Sequence, residues 1–219
     1  MKIGIIIAMD IEYRKMCEVL GGNSQGRING NEVVLWQCGI GKVNAAIGTM
    51  RLIAQRHPDC IISTGLAGGI DNCLHVMDVV IGSQTAYHDV WCGGESPLGM
   101  VEGFPQRFSA HPALLEAALG CAPGLRSGLI ITGDQFYLDE REDRRQKLLY
   151  PDALAVDMES AAIAHVCHIF DVPFLSFRII SDSHDDGHQL KNYTDFWQSM
   201  AERSFGVIDA LMHSLPSEL

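Results

Sequence analysis

The chain has 219 residues, of which 47% are hydrophobic, 20% charged and 7% aromatic, and its formal net charge is −11. A chain of this length and hydrophobicity can bury a full core, which excludes a disulfide-stapled miniprotein and wholesale disorder. The acidic balance argues against a general binder of nucleic acid or of anionic membranes. We therefore expect one domain that spans residues 1–219.

The seven cysteines are scattered along the chain and form no CxxC pair. This odd number predicts reduced thiols in a reducing compartment. The segment 1–9 has one lysine and a short apolar run, and Asp10 and Glu12 follow where a signal peptide would carry small cleavage-site residues. No apolar run approaches the roughly 18–20 residues that span a bilayer. These features predict a cytoplasmic protein.

Short apolar runs alternate with segments of helical spacing along the whole chain. The runs typical of buried strands are 2–8, 32–38, 59–63, 77–82, 127–132 and 173–180. Helical spacing predicts an apolar stripe for a helix at each of 43–54, 162–170 and 197–215. The alternation predicts an α/β fold with a largely parallel sheet. Ligands of such folds gather at the carboxyl ends of the strands.

Charged side chains stand at several of these strand ends. Glu12 follows the first strand, where it serves either as a residue of the first helical turn or as a general acid or base. Asp157 and Glu159 flank Met158 at the start of a helix, and capping and function are both open there. Arg178 lies inside an apolar strand that ends at Asp182, and a charge in a buried run needs a partner or a function.

Glycine-rich and aromatic turns follow other strands. Gly39-Ile40-Gly41-Lys42 and the stretch 64–69 (Thr-Gly-Leu-Ala-Gly-Gly) allow close approach of the backbone to a ligand, or simply tight packing. The Tyr87-His88-Asp89 run is either an oriented acid–base pair or a hydrogen-bonded loop. The run from Thr132 to Tyr137 carries two adjacent aromatics, which either stack on a flat heterocycle or fill the core.

A metal site has weak support. His184 and His188 lie near Asp182, Asp185 and Asp186, and His165 and His168 are three residues apart on a predicted helix. The 184–188 stretch contains a glycine and reads as a loop, and there is no HExxH pattern. We therefore expect no metal and no organic cofactor.

Seven motifs occur together in order: Glu12, Gly-Ile-Gly-Lys, Thr-Gly-x-Ala-Gly-Gly, Tyr-His-Asp, Gly-Asp-x-Phe, Asp-Met-Glu and Arg-x-Ile-Ser-Asp. In this the sequence resembles the 5′-methylthioadenosine/S-adenosylhomocysteine nucleosidases of the nucleoside phosphorylase superfamily, from residue 1 to about residue 212. The resemblance implies a three-layer α/β/α sandwich with a central mixed sheet, and a homodimer. It also implies hydrolysis of adenine nucleosides to adenine and a 5-substituted ribose, without a metal or cofactor.

The resemblance also implies roles for individual residues. The general acid at adenine N7 would be Asp182, Glu12 would activate the water with Arg178 nearby, and Glu159 would bind the ribose hydroxyls. The implied substrate-binding residues are Met9, Ile40, Leu66, Phe136, Tyr137, Met158, Ser181 and Tyr193. These roles suit the chemistry, since cleaving a glycosidic bond builds positive charge on the sugar while the leaving base gains electrons.

Two features depart from the family pattern. Leu66 stands where the family has a serine, and the 90–95 loop carries Glu95 and two glycines where the family has an apolar stretch. Three alternatives remain: a purine nucleoside phosphorylase, a futalosine-type nucleosidase with another 5′ group, and a non-catalytic nucleoside-binding protein. Phosphate needs several cationic and backbone donors, whereas Glu12 would repel it, so water is the favoured nucleophile.

Overall fold

The structure, a computed structural model, describes residues 1–136, 140–183 and 203–219. Its strands are β1 (Lys2–Ile7), β2 (Gln25–Ile28), β3 (Asn31–Gln37), β4 (Cys60–Gly69), β5 (Val79–Tyr87), β6 (Phe108–Ser109), β7 (Arg126–Thr132), β8 (Ala153–Asp157) and β9 (Phe174–Ser183). Its helices are α1 (Asp10–Val19), α2 (Lys42–Arg56), α3 (Pro112–Gly120), α4 (Glu140–Leu149), α5 (Ser160–Ile169) and α6 (Arg203–Ser214). The predicted α/β fold is confirmed.

All these strands belong to one mixed sheet with the order β2-β3-β1-β4-β8-β7-β5-β6. β9 pairs with both β4 and β5, so β4, β8, β7, β5 and β9 close into a ring. The β1–β3, β1–β4, β4–β9, β5–β7 and β7–β8 pairs are parallel, and the others are antiparallel. The parallel pairing of β1, β4 and β9 brings their carboxyl ends to the same edge.

Helices cover the two sides of the sheet. α1, α3 and α6 pack together over one face, where Phe177, Met16 and Leu211 are buried in the largest apolar cluster. α2 and α5 pack together over the other, where Ala45, Leu52 and other residues form a second cluster. These contacts give the predicted arrangement of a sheet between two helical layers.

The helix predicted over 43–54 forms, but the prediction of its buried face is wrong. Gly48, Thr49 and Leu52 point into the protein, whereas Val43 and Met50 of the predicted stripe are exposed. The small residues on the inner face bring α2 close to the sheet: a Cβ on Gly48 would meet the Cβ of Cys38. The larger apolar side chains are thereby left on the outside of the helix. In α6 the predicted stripe is confirmed from Ile208 to Leu215, and its earlier part lies outside the described side chains.

One strand boundary and one further strand also differ from the prediction. β4 runs on to Gly69, so the glycine-rich stretch 64–69 is the end of a paired strand and not a loop after it. β2 forms in a segment that carried no strand signal, since its residues are polar or glycine except Ile28.

Two smaller expectations concern thiols and membrane spans. All seven cysteines, which lie in the described ranges, carry free thiols as predicted. Among the residues that the structure describes, no helix has both the length and the apolar character needed to cross a bilayer.

Candidate active site

A cavity opens at the sheet edge where β1, β4, β8 and β9 end, as the strand-end rule predicts. It brings together Ala8, Met9, Glu12, Ile40, Thr64, Gly65, Leu66, Ala67, Gly68, Gly69, Gln135, Phe136, Val156, Asp157, Met158, Glu159, Arg178, Ser181 and Asp182. All four predicted catalytic residues are in this set. Of the predicted substrate-binding residues, Tyr137 and Tyr193 lie outside the described residues, and the others line the cavity.

Glu12 lies in the first turn of α1, buried against the end of β4. Its Oε2 accepts the N–H of Met9 at 3.1 Å, and its Oε1 accepts the N–H of Leu66 at 3.0 Å. Burial raises the pKa of this carboxyl, and the two backbone bonds oppose the rise. The carboxyl is thus held in one orientation, with a raised proton affinity suited to a general base.

Gly65 makes room for this carboxyl. Its φ is +153°, and a Cβ placed there would stand 2.9 Å from Oε1 of Glu12. The next residue, Leu66, replaces the serine of the family pattern, but it is the Leu66 backbone N–H that binds Glu12. The side chain of Leu66 packs on the core. Orientation of the Glu12 carboxyl therefore does not depend on a hydroxyl at position 66.

Glu159 stands at the start of α5, opposite the Gly-Ile-Gly-Lys turn. Its Oε1 accepts the N–H of Gly41 at 2.8 Å. Burial and the nearby Asp157 carboxylate raise the pKa of Glu159 to about 7, against the opposing effects of Arg178 and Gly41. This contact gives the Gly-Ile-Gly-Lys turn a function: its Gly41 N–H is the hydrogen-bond donor for Glu159, an acid that follows a different strand.

Arg178 is fully buried, with 2% of its surface exposed. Its Nε donates to Asp157 at 2.8 Å and its Nη2 to Ser63 at 2.7 Å. The guanidinium is therefore largely occupied in holding β9, β8 and β4 together. That Arg178 also lies near the water activated by Glu12 stays a prediction.

The sequence left both capping and function open for Asp157. In the structure its carboxylate is the shared acceptor of several hydrogen bonds. Its carboxylate accepts bonds from Arg178, from the Thr132 hydroxyl at 2.6 Å, and from the N–H and hydroxyl groups of Ser160. The signal that identifies it is Arg178 itself, because a buried cation requires a buried anion.

Asp182 lies one residue before the end of β9 and is also buried. Its Oδ1 accepts the Ser181 hydroxyl at 2.6 Å, and its Oδ2 would be 3.4 Å from a Cβ on Gly68. Register pairs Gly68 directly with Asp182. Gly68 and Asp182 are therefore neighbours across the two strands, and both line the cavity.

The rim of the cavity is more open. Phe136 is 46% exposed and Ile40 50%, while Met9 and Met158 are half-buried. Phe136 follows β7 as predicted, at the end of the described part of its loop.

Of the histidines that the sequence offered as acid–base or metal-binding candidates, those that the structure describes are absent from the residues that line the cavity. The His88 ring packs against Gly133, where a Cβ would come within 2.3 Å of it, and burial lowers its pKa. His165 shares a hydrogen bond of 3.1 Å with the Tyr87 hydroxyl. The described residues contain no cluster of three or more potential metal ligands. The candidate ligands 184–188 lie outside them.

Comparison with known proteins points to one family. The profile of the phosphorylase superfamily matches residues 2–213. A structure of 5′-methylthioadenosine/S-adenosylhomocysteine nucleosidase from Neisseria meningitidis in complex with methylthio-immucillin-A is similar, with a TM-score of 0.90, 34% identity, and coverage of 98% of this chain and 99% of that one. The Streptococcus pneumoniae nucleosidase with a transition-state inhibitor matches at 0.90 and 32%, covering 99% and 100%. Futalosine hydrolase of Helicobacter pylori matches at 0.88 and 26%, covering 98% and 99%.

Proposed function

The chain belongs to the 5′-methylthioadenosine/S-adenosylhomocysteine nucleosidase family of the phosphorylase superfamily, and on that premise we propose that it hydrolyses the N-glycosidic bond of adenine nucleosides. The products are adenine and a 5-substituted ribose, and the substrates are 5′-methylthioadenosine and S-adenosylhomocysteine. The observation that carries the proposal is the convergence of three buried acids, Glu12, Glu159 and Asp182, on one cavity.

Each acid has one task. Glu12 takes a proton from water as the water oxygen bonds to C1′ of the ribose. The C1′–N9 bond breaks, its electron pair passes to adenine, and Asp182 delivers a proton to N7, so the base leaves neutral. Asp182 is buried, and burial disfavours the charged form of a carboxyl, which suits an acid that delivers a proton. Glu159 accepts the ribose hydroxyls and stabilises positive charge on the sugar.

The neighbouring residues complete the assignment. Phe136 stacks on adenine, Tyr137 reads its amino edge, and Tyr193 covers the ribose. Ser181 orients Asp182 through the 2.6 Å bond to its carboxylate. The remaining residues assigned to substrate contact are Met9, Ile40, Leu66 and Met158.

Water is favoured over phosphate by the donors already in use. The N–H groups of Met9 and Leu66, which an anion at this strand end would need, are bonded to Glu12. Arg178 is bonded to Asp157 and Ser63. A phosphate would therefore meet the Glu12 carboxylate and find its donors taken, an arrangement that is costly in a buried site.

The deciding experiment measures release of the free base from methylthioadenosine, S-adenosylhomocysteine and adenosine (adenine) and from inosine and futalosine (hypoxanthine), each with and without phosphate. We expect phosphate-independent release from the two thio-nucleosides. Release only with phosphate would make the protein a phosphorylase. Turnover of futalosine but not of methylthioadenosine would move it to the futalosine hydrolases, and binding of the nucleosides without turnover would make it a binding protein.

We further propose a homodimer through the outer face of α2. Val43, Ile47 and Met50 form a stripe with 69%, 43% and 47% exposure, and Ile40, just before α2 at the cavity rim, is 50% exposed. An apolar stripe of this spacing on a helix surface is typical of an interface. Ile47→Asp should lower the mass measured by light scattering to that of a monomer, while Leu119→Asp, on the α3 side of the sheet, should not. A monomeric wild type would refute the proposal.

We also propose where in the cell the protein acts. The seven unpaired thiols suit a reducing compartment, and we place the protein in the cytoplasm. Its place in methionine salvage follows from the substrates proposed above and depends on the same assay.

A further inference from the structure

Three loops meet beside the cavity at one lysine. Lys42 begins α2 after the turn that follows β3, Asp89 follows β5, and Asp134 follows β7. The Lys42 ammonium donates to both carboxylate oxygens of Asp89, at 2.7 and 2.6 Å, and lies 3.8 Å from Asp134. We call these three residues the loop clasp.

Backbone bonds join the same three residues a second time. The Lys42 N–H donates to Asp134 at 2.8 Å, and the Asp134 N–H donates to Asp89 at 2.9 Å. Gly41 has φ +91°, and a Cβ on it would stand 3.0 Å from the Asp134 carboxylate. Each loop is therefore held by the other two, through side-chain and backbone contacts together.

The Lys42 charge lies between two acidic side chains. Asp89 and Asp134 are two acids in one network, and they repel each other unless a cation lies between them. Burial raises the pKa of Asp89, but the bonds from Lys42 and from the Asp134 N–H outweigh that effect, and the net pKa is lowered. The clasp is a charged unit that depends on its lysine.

Both ends of the clasp lead into the active site. Gly41, immediately before Lys42, donates its N–H to Glu159, the acid assigned to the ribose. Phe136, two residues after Asp134, lines the cavity where the base is assigned. One shift of Lys42 would therefore displace the ribose side and the base side at once.

We propose that Lys42 is a positioning residue for catalysis, which sets the Phe136 loop and the Glu159 carboxyl in one geometry through the loop clasp. This inference rests on the proposed nucleosidase function for its kinetic consequences only. The Lys42 and Asp89 side chains are 21% and 19% exposed. An ion pair that water still reaches contributes only modestly to stability, so the lysine acts on the geometry of the site more than on the stability of the fold.

The test compares Lys42→Met and Lys42→Arg with Lys147→Met. Lys147 makes a control ion pair of 2.5 Å with Asp71, at comparable side-chain exposure and outside the cavity lining. For Lys42→Met we expect kcat/KM for methylthioadenosine to fall about 100-fold, through both a higher KM and a lower kcat. Lys42→Arg should recover most of this loss, and Lys147→Met should keep wild-type kinetics.

Amide hydrogen exchange of the substrate-free protein gives a readout that does not need activity. In Lys42→Met we expect faster exchange at 133–136 and at Gly41, whose N–H binds Glu159, with no such change in Lys147→Met. Wild-type kinetics in Lys42→Met would overturn the inference. It would also be overturned if this variant exchanged faster at 133–136 while the exchange rate at Gly41 and the kcat value stayed at their wild-type levels. If the wild type releases no adenine, the function proposal fails, and exchange at Gly41 alone decides on the clasp.

Discussion

The carboxyls of Glu12 and Glu159 accept backbone N–H bonds within the buried part of the cavity, whereas Phe136 and Ile40 stand about half in solvent at its rim. Strand ends and helix starts hold the inner groups, and loops carry the outer ones. Groups held by a rigid scaffold suit bond breaking, which needs a constant geometry. Groups on loops suit recognition, which tolerates adjustment. Variants of the two regions should therefore affect different kinetic constants.

The strongest test of the inner region is Asp182→Asn. Asparagine keeps the shape of the side chain but cannot deliver a proton, so kcat should fall about 10⁴-fold, the upper range for a general acid. Methylthioadenosine binding should be retained, measured by calorimetry on the same preparation. Wild-type kcat in this variant would remove Asp182 from the leaving-group role.

Glu12→Gln tests the other side of the sugar. The amide oxygen can still accept a backbone N–H, but it cannot take a proton from water, and kcat should fall about 10³-fold. Substrate affinity should stay near that of the wild type in equilibrium binding. A variant that loses binding and keeps its kcat would contradict the assignment of Glu12 to the water.

Asp157→Asn tests stability in the inner region. It leaves the Arg178 charge without its buried anion, which should lower the free energy of unfolding by about 3–5 kcal/mol in urea denaturation. The matched control is Asp152→Asn, which breaks the more exposed pair with Arg107 and should cost less than about 1 kcal/mol. If both variants lost the same free energy of unfolding, burial of the Arg178–Asp157 pair would not be what makes it stabilising.

The raised pKa of Glu159 predicts a pH effect. Its pKa is about 7 in the folded protein and 4.5 in the reference state, so the folded state holds this proton more tightly. The contribution is therefore complete below pH 4.5 and lost as the pH rises through 7, by up to about 3 kcal/mol. Urea unfolding from pH 4.5 to 8 should show a smaller decline in Glu159→Gln, and an identical decline would refute the shift.

At the rim we expect the smallest effect. Phe136→Ala removes stacking on adenine, which contributes about 1–3 kcal/mol per base in other proteins, so KM should rise about tenfold. The kcat value should stay within about a factor of two, because the inner acids are not moved. A large fall in kcat with an unchanged KM would remove the distinction between the two regions.

Much of the inner region could be predicted because burial leaves a pattern. The apolar runs identified β1, β3, β4, β5, β7 and β9, and the acids stood out because charges are rare at buried strand ends. The partners of those acids could not be predicted. Gly41 donates to Glu159 across 118 positions of sequence, and Arg178 meets Asp157 only because β9 is inserted between β4 and β5.

The error on α2 has a different origin. Periodicity identifies an apolar face but does not say what covers it. Gly48 and Thr49, which face the sheet, carry little hydrophobic signal, and the larger Val43 and Met50 dominate the pattern although they point outward. A single sequence does not say whether an apolar stripe faces the core or the surface, so the two look alike.

The place of β9 in the ring has a consequence for synthesis on the ribosome. β9 is the last strand along the described part of the chain, yet it lies between β4 and β5, which are made much earlier. A nascent chain therefore exposes two unpaired strand edges until residue 183 has left the exit tunnel. Edges of that kind are prone to wrong pairing. Arrival of β9 also delivers Arg178 to Asp157, so this acid lacks its cation until the ring closes.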